Sequence, residues 1–516
     1  MQVRTTKTAS GNTAVQVVER FNHRTKVIKH IGSAKEMFSL GNLIKLGHQY
    51  IRENNNTTPL FPELKVETEQ KHLVSIDNLI FTKTYHNYAY EFFSFFYARN
   101  GFDVIENPIL KDLAIMRLIQ PASKQASLEL LKEYFRIGHG HTSLYNGLRL
   151  IHQQKEQIEQ VAISYAKRHL SFDFSLVFYD VTTLYFETFK QDADSVDEKG
   201  TVVARGLRTA GFSKDNKPLQ PQIMIGLVVN GDGYPISIEM FSGRTFEGHT
   251  IIPVIKRLQE RYGIKTLTIV ADAGMLSLDN IQAIKDAGLN FIVGARLGNV
   301  TETILKDVSR NLNKREEVYF QIETKQGTLI CDYSLKRATK DRSDRKKQLK
   351  KAQAQIDNPK KSKRKARFVT EETEAKLTLN QELIERDELK EGIKGYYTNL
   401  TLNDNLTPQD IVTRYKDLWH VEKSFRIAKS DLEARPIFHH KQESIEAHIL
   451  IVFVSLCLAK SIELLSHISI KKVRKAVWPI LDIEFKDALS NKTFVKRMET
   501  SGNIMEKLWI TLRGEY

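Results

Sequence analysis

From residue 176 to residue 293 the chain alternates β-type runs with turns and helices in an order that few folds accept. Leu176-Val-Phe-Tyr-Asp-Val-Thr-Thr-Leu-Tyr-Phe186 is dense in β-branched and aromatic residues and reads as a strand. After a loop rich in Gly, Lys and Asp comes a second run, Gln222-Ile-Met-Ile-Gly-Leu-Val-Val229. The turn Asn230-Gly-Asp-Gly233 joins it to its hairpin partner, Tyr234-Pro-Ile-Ser-Ile-Glu-Met-Phe241. A helix over about 250–262, a buried strand over 266–272, a helix over 277–287 and a short strand over 291–293 follow. Three antiparallel strands and then alternating helices and strands predict a mixed α/β sheet domain.

That order is the one expected of a ribonuclease-H-like domain. The pattern is interrupted at about 297–394, where two strands (317–323 and 327–335) precede a very basic run. Residues 336–367 contain 15 Lys or Arg against 3 Asp. The α/β pattern resumes with a strand at 395–399 and one helix over 408–431. Upstream, residues 1–35 read as a β-hairpin made of the runs 14–18 and 26–31. Residues 36–170 read as a helical domain, with helices over 36–51, 85–99, 107–119, 123–135 and 143–169. A helix-turn-helix within 107–150 is left open. The division expected is therefore 1–35, 36–170, a catalytic domain of 171–296 plus 395–440, an insertion subdomain of 297–394, and a helical region over 441–516.

Length and composition narrow the partners. A chain of 516 residues makes roughly two to four domains. With 41% hydrophobic and 27% charged residues the profile is ordinary, but a net charge of +15 is not. Such an excess points to a polyanionic partner, nucleic acid first, with a cationic membrane-surface protein as the rival. The most apolar run, residues 449–459, spans 11 residues, short for a bilayer, and reads as a buried helix segment. The first residues lack the apolar stretch of a secretory signal, and Cys331 and Cys457 suggest neither a disulfide framework nor a cysteine zinc site. A cytoplasmic location, away from membranes, is expected.

Two acids stand where α/β sheets put their chemistry. Asp180 ends the apolar approach 176–179, and Asp272 ends the approach 268–271. Strand ends of this kind converge on one crevice, and a carboxylate there is costly to bury without compensation. Glu422 is the third candidate. Tyr415, Leu418, Glu422 and Lys429 fall on one helical stripe, extended by Ile411 and Phe425, so the glutamate is expected to face the core and to need a cation. The competing reading is an exposed i, i+4 ion pair between Glu422 and Arg426.

At these residues the chain resembles a known family. Tyr179-Asp-Val-Thr-Thr183, Ile269-Val-Ala-Asp-Ala-Gly274 and Tyr415-Lys-Asp-Leu-Trp-His-Val-Glu-Lys-Ser-Phe-Arg-Ile-Ala-Lys429 are similar to the three acidic motifs of bacterial insertion-sequence DDE transposases. In the family's Tyr-x2-Arg-x3-Glu-x6-Lys signature Tyr415, Glu422 and Lys429 match, while Leu418 replaces the arginine. The segment 214–226 also resembles the family's strand entry, and the likeness covers about residues 105–460. It implies a DNA transposase that cleaves element ends and joins them to target DNA. Three carboxylates suit two Mg²⁺ or Mn²⁺ ions about 4 Å apart, with Asp180 bridging both and Asp272 and Glu422 serving one each. Tyr415 and Lys429 would hold the DNA backbone, and Arg426 would touch phosphate or serve a structural pair. The partners implied are double-stranded DNA, as terminal inverted repeats and target, and a second copy of the chain on that DNA. A bacterial, nucleoid-associated cytoplasmic protein follows, with no organic cofactor.

Within the basic run, Lys346, Lys347, Lys350, Lys363, Arg364 and Lys365 are expected along DNA, although a solvated, partly disordered loop fits the same composition. Some relatives use a Trp of the insertion to hold a flipped base. Here the Trp residues are 419, 478 and 509, so only Tyr319 or Phe320 is on offer, and hairpin or nick intermediates both stay open. The aromatic segment 85–97 is read as core rather than a stacking platform, and His439-His440 as loop or core rather than a metal pair. Two rival functions remain: a nuclease of the same fold that never joins, and a non-catalytic DNA-binding derivative.

Overall fold

In the computed structural model the chain divides into two compact units, Met1–Ser75 and Ile76–Tyr516. The described residues are 1–21, 24–35, 37–54, 76–275, 277–358, 365–373, 376–403 and 405–498.

The first unit is an antiparallel sheet of β1 (Gln2–Lys7), β2 (Thr13–Phe21) and β3 (Arg24–Ala34), with helix α1 (Met37–Asn54) packed on it. Ala14, Val15, Val17 and Val18 of β2 form its core. The expected hairpin is therefore a three-stranded sheet. β1, Gln-Val-Arg-Thr-Thr-Lys, is almost wholly exposed, so it carries no apolar alternation to announce it.

The second unit opens with β4 (Leu79–Tyr85) and the helices α2 (Asn87–Arg99), α3 (Pro108–Ile119), α4 (Lys124–Phe135), α5 (His141–Gln153) and α6 (Lys155–His169). The aromatic segment is core: α2 buries Phe92, Phe93, Phe96 and Tyr97. The single helix expected over 143–169 is two, broken at Gln154 (φ −90°, ψ 10°).

The sheet that follows contains β5 (Leu176–Tyr185), then, past a small ribbon of β6 (Ser195–Val196) and β7 (Val202–Ala204), the hairpin β8 (Gln222–Val229) and β9 (Pro235–Ser242). Helix α7 (Ile251–Tyr262) buries Ile251, Val254, Ile255 and Leu258, one stripe at helical spacing, and ends at Gly263 in the left-handed region. Then come β10 (Thr268–Ala271), α8 (Leu278–Asp286), β11 (Asn290–Ala295), α9 (Glu302–Leu312), β12 (Tyr319–Thr324) and β13 (Gly327–Tyr333). After α10 (Leu335–Asp357), the ribbon β14 (Val369–Thr373) and β15 (Lys376–Leu379), and α11 (Gln381–Leu389), strand β16 (Ile393–Thr398) returns to the sheet. The spatial order is β12-β13-β16-β11-β10-β5-β8-β9. β10 runs parallel to both β5 and β11, and every other neighbour is antiparallel. The mixed α/β architecture expected from the sequence is present. The interrupting stretch lends its hairpin β12–β13 to the edge of this sheet and keeps a small core of its own, Ala352, Phe368, Val369 and Ile384.

Residues 335–357 of the basic run form a 23-residue helix, which corrects the loop reading. Lys, Arg, Gln and Ala are strong helix formers. One face is also anchored: buried Ala338 and Ala352, and the buried Arg345, whose guanidinium pairs with Glu391.

The helix expected over 408–431 is segmented into α12 (Pro408–Lys416), α13 (Trp419–Arg426) and a π-helical turn, Ile427–Asp431. Pro408 and the Thr407/Asp410 capping box start α12. Between α12 and α13 the amides of Leu418, His420 and Val421 bond three residues back rather than four.

The rest is α14 (Gln442–Ser466), α15 (Ile470–Val477), β17 (Leu481–Asp487) and β18 (Thr493–Met498). The C-terminal region expected to be helical thus includes a hairpin, and β17 pairs β4 as well as β18. The apolar run 449–459 lies within α14, which is long and apolar enough to cross a membrane. Here 78% of its most apolar window is buried, the disposition of a core helix.

Candidate active site

The sheet register sets two of the acids side by side. Ala271 of β10 pairs with Tyr179 of β5, so Asp272 and Asp180 are the next residues on neighbouring parallel strands, with backbones about 5 Å apart by strand spacing. Asp180 is half-buried and Asp272 exposed. The Asp180 carboxylate accepts the Val181 amide at 2.7 Å. Burial pushes its pKa up to about 6; Lys214 and the Val181 amide pull against this, and the charges of Asp272 and Glu247 add to it.

Two of those neighbours, Lys214 and Glu247, went unnoticed in the sequence as site residues. Lys214 Nζ donates to the Val181 carbonyl at 2.8 Å and pairs with Glu247 Oε1 at 2.8 Å. Glu247 opens a short 3-10 turn just ahead of α7. The only hint was the position of Lys214 in the strand-entry segment; nothing local marks Glu247.

Tyr415 ties the third acid in. It is buried on α12 and its hydroxyl donates to Asp272 Oδ1 at 3.2 Å. Burial, then the charges of Asp272, Glu422 and Asp180, hold this phenol far above its ordinary pKa. All three carboxylates therefore act on one hydroxyl. Its ring stands edge-on to Tyr396 at 4.8 Å and beneath Lys394 Nζ at 4.5 Å. Burial lowers the Lys394 pKa, which Asp332 and Asp272 partly restore. Gly294 of β11 makes room: a Cβ there would lie 2.5 Å from the Tyr415 hydroxyl.

Glu422 sits on α13, which packs against β5 and β8. Its expected core-facing orientation is corrected: Glu422 is exposed, while Val421, Ser424 and Phe425 are buried. Each residue bonded three back turns the chain about 120° rather than about 100°. The tightened link between α12 and α13 thus rotates Glu422 off the buried stripe of Tyr415 and Leu418. The alternative pair with Arg426 does not form, and neither residue has an ion pair among the described residues. Trp419, Glu422 and Arg426 share the exposed face of α13. Among the described residues no three His, Cys, Asp or Glu side chains are grouped closely enough to hold one ion.

The other expected DNA contacts are placed as follows. Lys429 lies in the π-helical turn with Nζ 3.1 and 3.4 Å from the two oxygens of Asp215, a carboxylate shared with Arg435 at 2.5 Å. Leu418, at the family's arginine position, is buried. Lys346, Lys347 and Lys350 are exposed on α10, with Lys347 3.4 Å from Asp344, and Lys365 is exposed beyond it. Lys363 and Arg364 lie outside the described residues. A groove of about 700 Å³ between α10 and the β11/β16 strands is lined by Arg296, Arg337, Lys347, Lys351 and Lys394 together with Asp341, Asp344 and Asp387, and Lys394 also covers the Tyr415 ring that bonds Asp272. His439 and His440 diverge, His439 toward His448 and His440 toward Arg208.

A family model described as Transposase DDE domain matches residues 174–458, a span that contains Asp180, Asp272 and Glu422. No curated protein matches the chain. Among solved structures it is similar to a piggyBac transposase synaptic complex with hairpin DNA, at 10% identity over 75% of this chain and 70% of that one, with a TM-score of 0.37. It is also similar to a Mos1 transposase paired-end complex with the left transposon end, at 12% identity over 48% of this chain and 66% of that one, with a TM-score of 0.15.

Proposed function

The chain belongs to the transposase DDE domain family and is a DNA transposase, and from that premise we propose how its own residues carry the reaction. Asp180, Asp272 and Glu422 are the metal ligands. The observation that carries this is that the sheet register sets Asp180 and Asp272 side by side while Tyr415, seven residues before Glu422, donates its hydroxyl to Asp272. Carboxylate oxygens suit Mg²⁺ or Mn²⁺. The raised pKa of Asp180, crowded by Asp272 and Glu247, fits a site designed around added positive charge. Asp180 together with Asp272 would hold one ion, and Asp180 together with Glu422 the other. Ions held there would supply Lewis-acid activation of the scissile phosphodiester and of the attacking water or 3′-hydroxyl.

The chain's other residues orient and balance. Tyr415 fixes the Asp272 carboxylate by donating to it. Lys214 holds Glu247 and the β5 backbone in place beside Asp180. With Leu418 at the arginine position, Lys214 and Lys394 are the cations left near the acids to meet a phosphodiester. Lys429 reaches a backbone phosphate by exchanging it for Asp215. Arg426 and Trp419 present a cation and an aromatic face beside Glu422, and Lys346, Lys347, Lys350 and Lys365 extend the contact along duplex DNA.

The order β9-β8-β5-β10-β11, with β5 antiparallel to β8 and parallel to β10, supports a ribonuclease-H-like core of residues 171–296 and 395–440, into which 297–394 is inserted. Of the expected helical domain 36–170, α1 belongs with the N-terminal sheet, and the helices α2–α6 of the second unit are the candidate region for the element ends. A homodimer on terminal inverted repeats, in the bacterial cytoplasm, completes the reading, because joining requires both ends held together.

The test supplies pre-cleaved element ends, a supercoiled target and Mg²⁺. The parent is expected to yield joined product, and Asp180→Ala to lose both cleavage and joining while binding DNA within a few-fold. Cleavage by Asp180→Ala equal to the parent's would sink the site; hydrolysis without joined product would favour a nuclease.

A further inference from the structure

Away from the acids, the α3–α4 turn and the segment 432–439 line a cavity of about 150 Å³ that opens to solvent beside the exposed Glu433 and Phe438, roughly five water volumes and room for one tetrahedral oxyanion. Its lining is basic: the cations Arg117, Lys124 and Arg435 and the neutral imidazoles of His439 and His448, with Glu433 the single acid among the described lining residues. Arg117 and Lys124 are 5% and 6% exposed. Arg117 donates to the carbonyls of Leu432 at 2.9 Å, Glu433 at 3.0 Å and Ala122 at 3.3 Å, which fixes its place but supplies no opposite charge. Lys124 Nζ lies 2.7 Å from His448 Nδ1, and His448 Nε2 lies 3.0 Å from the Ala434 carbonyl. A carbonyl only accepts, so Nε2 carries the histidine proton and Nδ1 accepts from Lys124. The ammonium then has two further N–H groups to place. Arg435 is balanced by Asp215, and Glu433, which is exposed, offsets part of the cost of burying Arg117 but none of that of Lys124.

Two buried cations without a buried carboxylate are costly unless something else brings negative charge. The N-terminus of α4, where Ser123 caps the Ala126 amide at 3.2 Å, opens onto the same cavity and favours the same sign. Burial and Arg117 push the Lys124 ammonium well below the ordinary lysine value, and burial with the neighbouring cations takes His439 down to about 4. An anion between them would restore both charges.

We propose that this cavity is a binding site for a phosphate-class oxyanion, held by Lys124 and His439 in the field of Arg117. The ion has two sources. The segment that lines the cavity is pinned to the end of β5, where the Ile437 amide donates to the Tyr185 carbonyl at 3.2 Å. That point is about 17 Å along β5 from Asp180, about five nucleotide steps of one strand. A backbone phosphate of DNA leaving the acids is one source, and free inorganic phosphate is the other.

The test reads binding rather than cleavage, so it stands apart from the fate of the acidic site. Thermal unfolding of the full chain is followed in phosphate and in chloride at equal ionic strength. Phosphate is expected to raise the parent's melting temperature by a few degrees, and Lys124→Met to lose that response. His439→Asp, which places a carboxylate in the cavity, is expected to raise the melting temperature in chloride and to abolish the response. This variant keeps the proposal testable should Lys124→Met fail to fold. A duplex-binding arm distinguishes the sources. If the ion is a DNA phosphate, Lys124→Met weakens binding and lowers the slope of log affinity against log salt by about 1. If it is a free ion, the slope is unchanged while the phosphate response is lost. Equal phosphate responses in the parent and both variants overturn the proposal.

Discussion

Asp180 shows how a residue's cost reveals its use. Its pKa rises from the ordinary 3.8 to about 6, so the native state binds a proton more readily than the unfolded chain. Its contribution is therefore intact below about pH 4 and is lost as pH rises through about 6, an upper bound of about 3 kcal/mol. Without divalent ions, Asp180→Asn is expected to remove that slope and to be more stable than the parent at pH 7 by about 2 kcal/mol, as read by denaturant unfolding at several pH values. Added Mg²⁺ should then stabilise the parent and not the variant. A parent and variant with the same pH profile would count against the buried-carboxylate account. Gly294 is the second residue to test. Alanine there collides with the Tyr415 hydroxyl, so Gly294→Ala is expected to shift the ring off Asp272 and cost about 100-fold in cleavage rate. Adding Tyr415→Phe should restore the stability lost to Gly294→Ala, a coupling that a double-mutant cycle measures.

At the scale of elements, the junctions decide more than the helices they join. The tightened link between α12 and α13 and the π-helical turn after it set where Glu422 and Lys429 point, and π-type turns recur at functional sites. In α10 the decision rests with one buried pair. Arg345 and Glu391 are both buried, and Glu391 also takes Arg342 at 2.6 Å. Arg345→Met leaves Glu391 one partner, so a cost of about 2–3 kcal/mol is expected, below that of a fully stranded charge. Faster amide hydrogen exchange over residues 335–357, with the central sheet unchanged, is the readout. Unchanged protection would show that Ala338 and Ala352 alone dock the helix.

For the molecule as a whole, a basic helix stands beside an acidic centre, with Lys394 lining the groove and covering the Tyr415 ring that bonds Asp272. Duplex DNA is expected to follow the exposed side of α10 that carries Lys346, Lys347 and Lys350. Replacing Lys346, Lys347 and Lys350 together with Gln should weaken binding to any duplex sequence alike and lower the salt slope by about 3. Cleavage at saturating DNA should be little changed. A salt slope equal to the parent's would move the DNA path elsewhere.

The strands β5, β8, β9 and β10 and the helices between them were legible because their apolar runs and turns are local. The motif around Asp272 does end its strand, whereas Asp180 lies midway along β5 rather than at the end that the apolar run 176–179 suggests, because β5 continues in register with β8 as far as Tyr185. Local pattern sufficed there, since side-chain period and turn chemistry act within a few residues. It could not show β1, whose polar edge has no buried face, nor the hairpin β17–β18, which borrows its partner from residues 79–85. Glu422 was recognisable as a motif residue, but its exposure depends on how three residues of the α12–α13 link are wound. Lys214 and Glu247 come to Asp180 from separate loops, and the cations around Lys124 meet across more than 300 positions of sequence. Periodicity is a property of neighbours along the chain; the company a charge keeps is settled by folding.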